Sequence, residues 1–517
     1  GTGRPYRTAV FVNGGEYDAD RSVSAAVQDN NGTASVTGDA AQNISVSGSS
    51  TGFSGVILNE AGEYAISDSK VTLDTDSDGS DANDFSGYGS AVAIFGDTQA
   101  TIENTEIETS GVAVSGVVTD GGSDVVVKDS TITANGGTIY EKYEQTSATD
   151  TMIAPPWDLG LTGTARAVNV MGTEGTFTIV DSTVNAGSWA GISTDGADKL
   201  HVTSINSEIN VEDSGYGILS IGGGTQFDLY GTDINTETFI GVYMDTSTIN
   251  IDGSKAKTYV VYSLEEGEAG EDHAASQLNE EDQVAEIVND EAKDSSLTSE
   301  LYGFMFNIMM GSGSKTNYLN LGKDVSIQTG KTTFLAKSDG AKIVVDGTEI
   351  QADNGVLLQA MDNPGSAIGM DMSTNKFVKT YTEPEGWSST WDEADEVTHG
   401  KRNPTDLTLT NTDIEGDVYN STGYRTSGQG GGDVNVTIGE GASLTGVLAS
   451  TEFMHVDDNG DQNTEITYWT NGYDYEQVKA AAHALNQVAN KNHFNGYNDV
   501  NVTVTDDGEW IVAGDSM

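Results

Sequence analysis

A turn motif that recurs at a fixed interval constrains this chain more than any other feature. Asn104-Thr105-Glu106-Ile107, Asp129-Ser130-Thr131-Ile132, Asp181-Ser182-Thr183-Val184, Asn206-Ser207-Glu208-Ile209 and Gly231-Thr232-Asp233-Ile234 are variants of one pattern. Gly347-Thr348-Glu349-Ile350 and Asn411-Thr412-Asp413-Ile414 repeat it further on. The motif ends lie 25 residues apart from 107 to 132, from 184 to 209 and from 209 to 234. The step from 132 to 184 is 52 residues, which reads as two rungs plus two. A period of this length marks a solenoid, in which each unit buries its apolar face only against its neighbours.

Strands flank each motif. Before it the apolar residues alternate, as in Val125-Val126-Val127, Phe177-Thr178-Ile179, Leu200-His201-Val202 and Phe227-Asp228-Leu229. Period-two spacing places alternate residues on one face of a strand. After the motif comes a second short strand opened by a small residue, as in Gly217-Ile218-Leu219 and Gly241-Val242-Tyr243. Asn, Asp and Gly at the corner tolerate left-handed backbone angles, and the polar side chains bond nearby amides. The fold expected is all-β, a right-handed parallel β-helix of about 25 residues per coil with two or three short strands in each. Setting aside about 100 residues of insertions leaves about 16 coils, a rod on the order of 75 Å long. A β-sandwich would not repeat one corner chemistry at one interval.

The 80 acidic residues against 23 basic ones give a net charge of −57. Such a surface repels nucleic acid, anionic lipid and polyuronates, and attracts cations. No cysteine is present, which excludes disulfides but not secretion. No apolar run reaches membrane-spanning length and no signal peptide opens the chain, so no membrane insertion is expected.

Residues 1–59 read as first coils or a cap, and 60–263 as regular β-helix with a loop insertion at 138–164 that carries Pro155-Pro156-Trp157. Residues 264–298 read as an acidic helical insertion. Twelve acidic residues lie there against Lys293, and Leu278, Val284, Ile287 and Val288 have helical spacing. The β-helix resumes over 299–454, with an aromatic insertion at 380–404. A second helical insertion is expected over 455–496, where Val478, Ala481, Leu485 and Val488 form one stripe. Residues 497–517 read as a last coil without a polar cap, so the native polypeptide either continues or meets another molecule there.

Asp74-Thr75-Asp76-Ser77-Asp78-Gly79-Ser80-Asp81 matches the start of a calcium loop, so Asp74, Asp76, Asp78 and Asp81 are the candidate metal ligands. The bidentate Glu of a complete loop is replaced by Phe85. Calcium is the one ion the sequence suggests, and no cofactor is required. Asp457, Asn459 and Asp461 are a weaker echo. Aromatic clusters in the insertions nominate Trp387, Trp391, Trp469 and Tyr473 as partner-binding residues, because aromatic faces stack on sugars or anchor protein interfaces. The alternative role for them is to pin the insertions to the rod. His201 is expected to face solvent from its strand, and His483 to lie on a helix.

The corners, together with Pro155-Pro156-Trp157-Asp158-Leu159-Gly160 and Trp189-Ala190-Gly191-Ile192-Ser193-Thr194-Asp195, resemble large bacterial surface proteins of the right-handed β-helix, pectin-lyase-like class. The stretch Gly508-Glu509-Trp510-Ile511-Val512-Ala513-Gly514-Asp515-Ser516 is similar to the final coils of autotransporter passengers and related adhesins. The resemblance implies secretion and display at a cell surface, but such folds host enzymes, adhesins and inert stalks alike. Asn411-Thr412-Asp413 resembles the N-T-D element of polygalacturonases, yet their G-H-G and R-I-K elements are absent: His399-Gly400 follows Thr398, and Arg402 precedes Asn403-Pro404. The six arginines form no pectate-lyase motif, and no G-x-S-x-G element or cysteine nucleophile occurs.

The function expected is therefore a non-catalytic extracellular adhesin, coat or filament subunit that associates with itself or with a surface glycan or protein. Its uncapped ends could stack end to end. The alternatives are a polysaccharide lyase or glycoside hydrolase with a flank groove, and a phage tailspike.

Overall fold

The computed structural model describes residues 7–79, 86–138, 165–244, 246–254, 258–262, 283–288, 292–307, 316–337, 340–362, 367–371, 376–382, 386–388, 403–423, 431–462, 467–470, 487–494 and 498–514. It is a parallel β-helix with three strand faces per coil. The first face is a 14-stranded sheet running from Ser35–Val36 to Val500–Val504. All its neighbours pair in parallel except Ser35–Val36, which is antiparallel to Ala40–Gln42. The expectation of about 16 coils was high. The parallel part of this face holds thirteen strands, because several coils are lengthened by insertions.

The other two faces merge into one 24-stranded sheet, apart from Asp413–Glu415, Ser443–Gly446 and Glu509–Val512, which form a three-stranded sheet of their own. The 16-residue strands Thr183–Asp198 and Glu208–Gly223 run without interruption across both. At the bend between the two faces the chains approach too closely for a side chain. A Cβ added at Gly217 would lie 2.4 Å from Ile234 Cγ2 and 2.6 Å from the Ile240 carbonyl oxygen, and one at Gly191 would lie 2.8 Å from the Gly217 carbonyl oxygen. This is why small residues open the second strand.

The corner motif has the predicted conformation and register. Asp68, Asn104, Asp129, Asp181, Asn206 and Asn411 have φ of 53°, 47°, 49°, 47°, 48° and 53°, the left-handed region in which Asn and Asp are tolerated. Ile107, Ile132, Val184, Ile209 and Ile234 are register partners on successive coils. The 52-residue step from Ile132 to Val184 is therefore one coil enlarged by an insertion, not two rungs. The Ser or Thr that follows forms a buried hydroxyl ladder. The Ser130 hydroxyl accepts from the Thr105 amide at 3.1 Å and donates to the Lys128 carbonyl at 2.8 Å. Ser182 accepts from the Ser130 amide at 3.1 Å, and Ser207 from the Ser182 amide at 3.2 Å. Each hydroxyl satisfies an amide that no strand ladder reaches, which keeps buried backbone groups paired around a tight turn.

Alternate residues of all three faces fill one continuous core. Its middle carries an aromatic column in which Tyr243, Phe304 and Phe334 stack at 6.4 Å and 6.1 Å, and a second buried column outside that cluster packs Tyr216, Phe239 and Tyr302 at 5.7 Å and 5.5 Å. Burial alone pushes the Tyr243 hydroxyl well above its ordinary range, and it is the leading cause for Tyr302 as well. The folded rod therefore keeps these protons after an unfolded chain would lose them. Their stabilisation is complete below about pH 10, the ordinary tyrosine value, and declines as pH rises above it. In an alkaline titration, tyrosinate absorbance from Tyr243 and Tyr302 should appear together with loss of the β-sheet circular dichroism signal. Ionisation of all tyrosines near pH 10 with the sheet signal intact would contradict this core.

The N-terminal end is closed on every face by a strand of reversed direction. Glu16–Tyr17 lies antiparallel to Arg7–Asn13, Val27–Asp29 to Ile44–Gly48, and Ser35–Val36 to Ala40–Gln42. Residues 7–59 thus contain both parallel coil strands and the reversed strands that close them. At the other end Val500–Val504 and Glu509–Val512 add in parallel to Val434–Ile438 and Ser443–Gly446, as a further coil should. Val504, Ile511 and Val512 are exposed there. The third face ends differently: Gln487–Asn492 runs antiparallel to Leu448–Val456.

Two expected helices give way to strands where the chain is described. Gln283–Val288, which contains Val284, Ile287 and Val288, is a strand antiparallel to Thr258–Tyr262. Gln487–Asn492, which contains Val488, is the strand just named. In both, cross-strand pairing outside the segment overrides a local helical spacing. Leu278, Val478, Ala481, His483 and Leu485 lie outside the described residues, as does nearly all of the 138–164 insertion. Ser295–Ser299 already belongs to the rod, so the acidic insertion ends before it. Among the described residues, no helix is long and apolar enough to cross a membrane.

Candidate functional site

The two aromatic insertions meet in one place. Lys376–Thr382 forms the centre of a three-stranded antiparallel sheet, with Ala367–Asp371 on one side and Thr467–Thr470 on the other. Thr380 pairs with Trp469, and Tyr381 with Tyr468. Trp387 follows in the same insertion and is half-buried. The Lys491 ammonium lies 5.7 Å from its ring centroid, within reach of a cation–π contact, and 3.4 Å from Glu452. The Ser388 hydroxyl accepts from the Phe453 amide at 3.0 Å, and Gln462 accepts from the Gly386 amide at 3.2 Å. These contacts tie the two insertions to Leu448–Val456 of the rod. Trp387 and Trp469 are thus carried by insertions that pack together, while Trp391 and Tyr473 lie outside the described residues. For Trp387, at least, the pinning role is realised through Lys491.

The acidic segment is laid out differently. Asp74 ends the strand Lys70–Asp74, and Asp74 and Asp76 are exposed while Asp78 is half-buried. Ser77 between them is buried: its hydroxyl donates to the Val112 carbonyl at 3.0 Å, and its own carbonyl accepts from the Val112 amide at 2.7 Å. The segment is stitched along the neighbouring coil instead of wrapping round a centre. Asp81 lies outside the described residues, and among the described residues no three His, Cys, Asp or Glu side chains are placed to hold a metal ion.

Two buried polar clusters escaped the sequence reading. Arg166 is 1 % exposed and donates to Asp195 at 2.7 Å, with its guanidinium carbon 4.4 Å from the Trp189 ring centroid. His201, expected to face solvent, is buried. Its Nε2 lies 2.6 Å from Asp228 Oδ2, and Gln226 and Asn250 each donate to Asp228 at 2.9 Å. The outward face of these strands is covered, so the usual inference from alternation fails. Arg166 stands as a lone charge among small and apolar residues in Ala165-Arg166-Ala167-Val168, whereas His201 follows Asp198 and Lys199 and is not set apart. The isolation of Arg166 was the available signal.

A groove of about 700 Å³ runs along the second face. One wall is a ladder of amides and hydroxyls. Asn185 donates to Thr133 at 3.2 Å, Asn210 to Asn185 at 3.0 Å, and Asn235 to Asn210 at 2.9 Å, while Thr298 donates to Asn235 at 2.8 Å. Beside it stand Glu212, Glu237 and Glu300, each following one of the register partners Val211, Thr236 and Ser299. The residues that carry these carboxylates therefore recur once per coil, at a backbone repeat of about 4.8 Å.

No protein-family model matches the chain, and no curated protein matches its sequence.

Proposed function

We propose that this chain is a non-catalytic extracellular rod that serves as a surface adhesin or coat. The observation that carries the reading is the joining of two aromatic insertions, distant in sequence, on the flank of a stiff shaft. A continuous ladder of corners and a long shared core resist bending, and the flank sheet holds the two insertions together at a fixed place on the shaft. The display at a bacterial cell surface rests on the resemblance of the corners and of the last coil to passenger domains. Screening the purified chain on a glycan array and against surface-protein extracts, with Trp469→Ala alongside, tests this reading. Retention of a partner by the parent and its loss in the variant are expected. A partner bound equally by both would move the contact away from the flank sheet.

Self-association forms a second part of the reading, with a restriction the closed N-terminal end supplies. A reversed strand on every face there opposes head-to-tail stacking of parallel coils, which favours pairs of rods over filaments. Negative-stain images should show rods joined at one end only. Filaments would overturn the restriction, and single rods at all concentrations would overturn self-association.

The hydrolase reading is favoured by the carboxylates of the groove, since paired carboxylates can cleave glycosides. Release of new reducing ends from a polysaccharide panel, abolished by Glu237→Gln, would establish it in place of the adhesin.

A further inference from the structure

We infer that the groove beside the asparagine ladder binds a linear oligosaccharide that carries free amines. The inference rests on the reading of the rod as a binding protein and names a ligand class and a second contact site for it.

The ladder supplies the first argument. Asn210 and Asn235 each spend one amide hydrogen and the carbonyl oxygen on their neighbours above and below. A primary amide has two donor hydrogens, so one per rung is left over for a ligand. These donors recur once per coil, at about 4.8 Å, which is close to the rise of one sugar ring in an extended chain. The ladder is also rigid, because Asn210 and Asn235 are each fixed by the rungs above and below, which for Asn235 are the Asn210 amide and the Thr298 hydroxyl. A ligand that follows it meets donors already oriented, and little side-chain freedom is lost on binding.

The carboxylates supply the second argument. Glu212 and Glu300 are exposed and Glu237 is half-buried, one on each of three consecutive coils. A metal ion needs its oxygens converged within a single coordination shell, and no such convergence of three acidic side chains is found among the described residues. A column with at least one carboxylate on each coil, Asp213 standing beside Glu212 on the first, instead matches a ligand with a positive charge on each repeat. Donors on one side and carboxylates on the other suit a chain of hydroxyls and ammonium groups. They oppose uronic acids, whose own carboxylates would face the column.

Isothermal titration of the full chain at about 0.15 M salt, where long-range attraction to the −57 surface is largely screened, tests the inference with triglucosamine, tri-N-acetylglucosamine, trigalacturonate and spermine. Saturable one-to-one binding of triglucosamine is expected, about tenfold tighter than either tri-N-acetylglucosamine or spermine, with none of trigalacturonate. Glu237→Gln, which keeps the side-chain shape, and Asn235→Ala should each weaken it about tenfold. Circular dichroism of both variants shows whether the rod is intact, and Glu237→Gln alone decides the matter if Asn235→Ala unfolds. Binding of spermine as tight as triglucosamine, equal binding of the acetylated trimer, indifference to Glu237→Gln, or no saturable binding would each overturn the inference. Loss of binding leaves the adhesin reading standing, whereas new reducing ends during the titration would overturn that reading and leave the groove in place.

Discussion

Asp195→Ala should destabilise the middle of the rod by up to about 3–5 kcal/mol, the range for removing one member of a buried ion pair. Arg166 is 1 % exposed, and Asp195 Oδ2 lies 2.7 Å from its guanidinium. Removing the carboxylate takes away the 2.7 Å partner of a buried guanidinium, which keeps the Trp189 face 4.4 Å away. The loss should be local, because each coil of a solenoid interacts only with its neighbours. Hydrogen exchange should accelerate in Arg166–Thr173 and Thr183–Asp198 while Val434–Ile438 keeps its protection. Replacing the pair together, Arg166→Met with Asp195→Leu, should recover most of the loss, since matched apolar residues often do as well as a buried ion pair. Unchanged exchange in Asp195→Ala would show that the pair contributes nothing to the fold.

Phe304→Ala should cost a similar amount, about 3–5 kcal/mol, for a different reason. Phe304 is fully buried and stacks between Tyr243 and Phe334 on the coils either side. Truncation removes the apolar surface of a ring and opens a cavity that two stacked neighbours cannot close without leaving their strands. The denaturation midpoint followed by near-ultraviolet circular dichroism should drop sharply, with Phe239–Met244 and Phe334–Lys337 losing exchange protection along with Tyr302–Asn307. Phe304→Leu should recover part of the loss. An effect below about 1 kcal/mol would mean the column is loosely packed.

The corners were legible because their chemistry is local. Asn, Asp and Gly take a left-handed conformation at the least cost, although Glu60, Glu174 and Lys199 also adopt it here, and the hydroxyl after the corner reaches an amide of a neighbouring coil, so residues such as Asp129-Ser130 and Asp181-Ser182 announce the turn without any knowledge of the rest. The flank sheet was only half legible. Trp387 and Trp469 stood out as aromatic residues in insertions, but the pairing of Thr380 with Trp469 depends on two segments that meet only after the intervening coils have formed. Val284, Ile287, Val288 and Val488 misled because a spacing of three and four residues is compatible with helix until a partner strand is known. His201 misled because alternation tells which face a residue takes, not whether that face is covered. The groove was hidden for a related reason: Asn185, Asn210 and Asn235 lie 25 residues apart, but an amide among Thr and Glu signals nothing until the coils are stacked.

The reversed strands at the start of the rod bear on how it yields to force. Tension applied near residue 514 would load Glu509–Val512 and then Ser443–Gly446 in turn, opening one coil at a time as a zipper does. Tension at residue 7 meets Arg7–Asn13 clasped between a reversed strand and Phe53–Asn59, so several bonded rows must give way at once. A molecule gripped at its two ends would therefore lengthen from the C-terminal side in small steps.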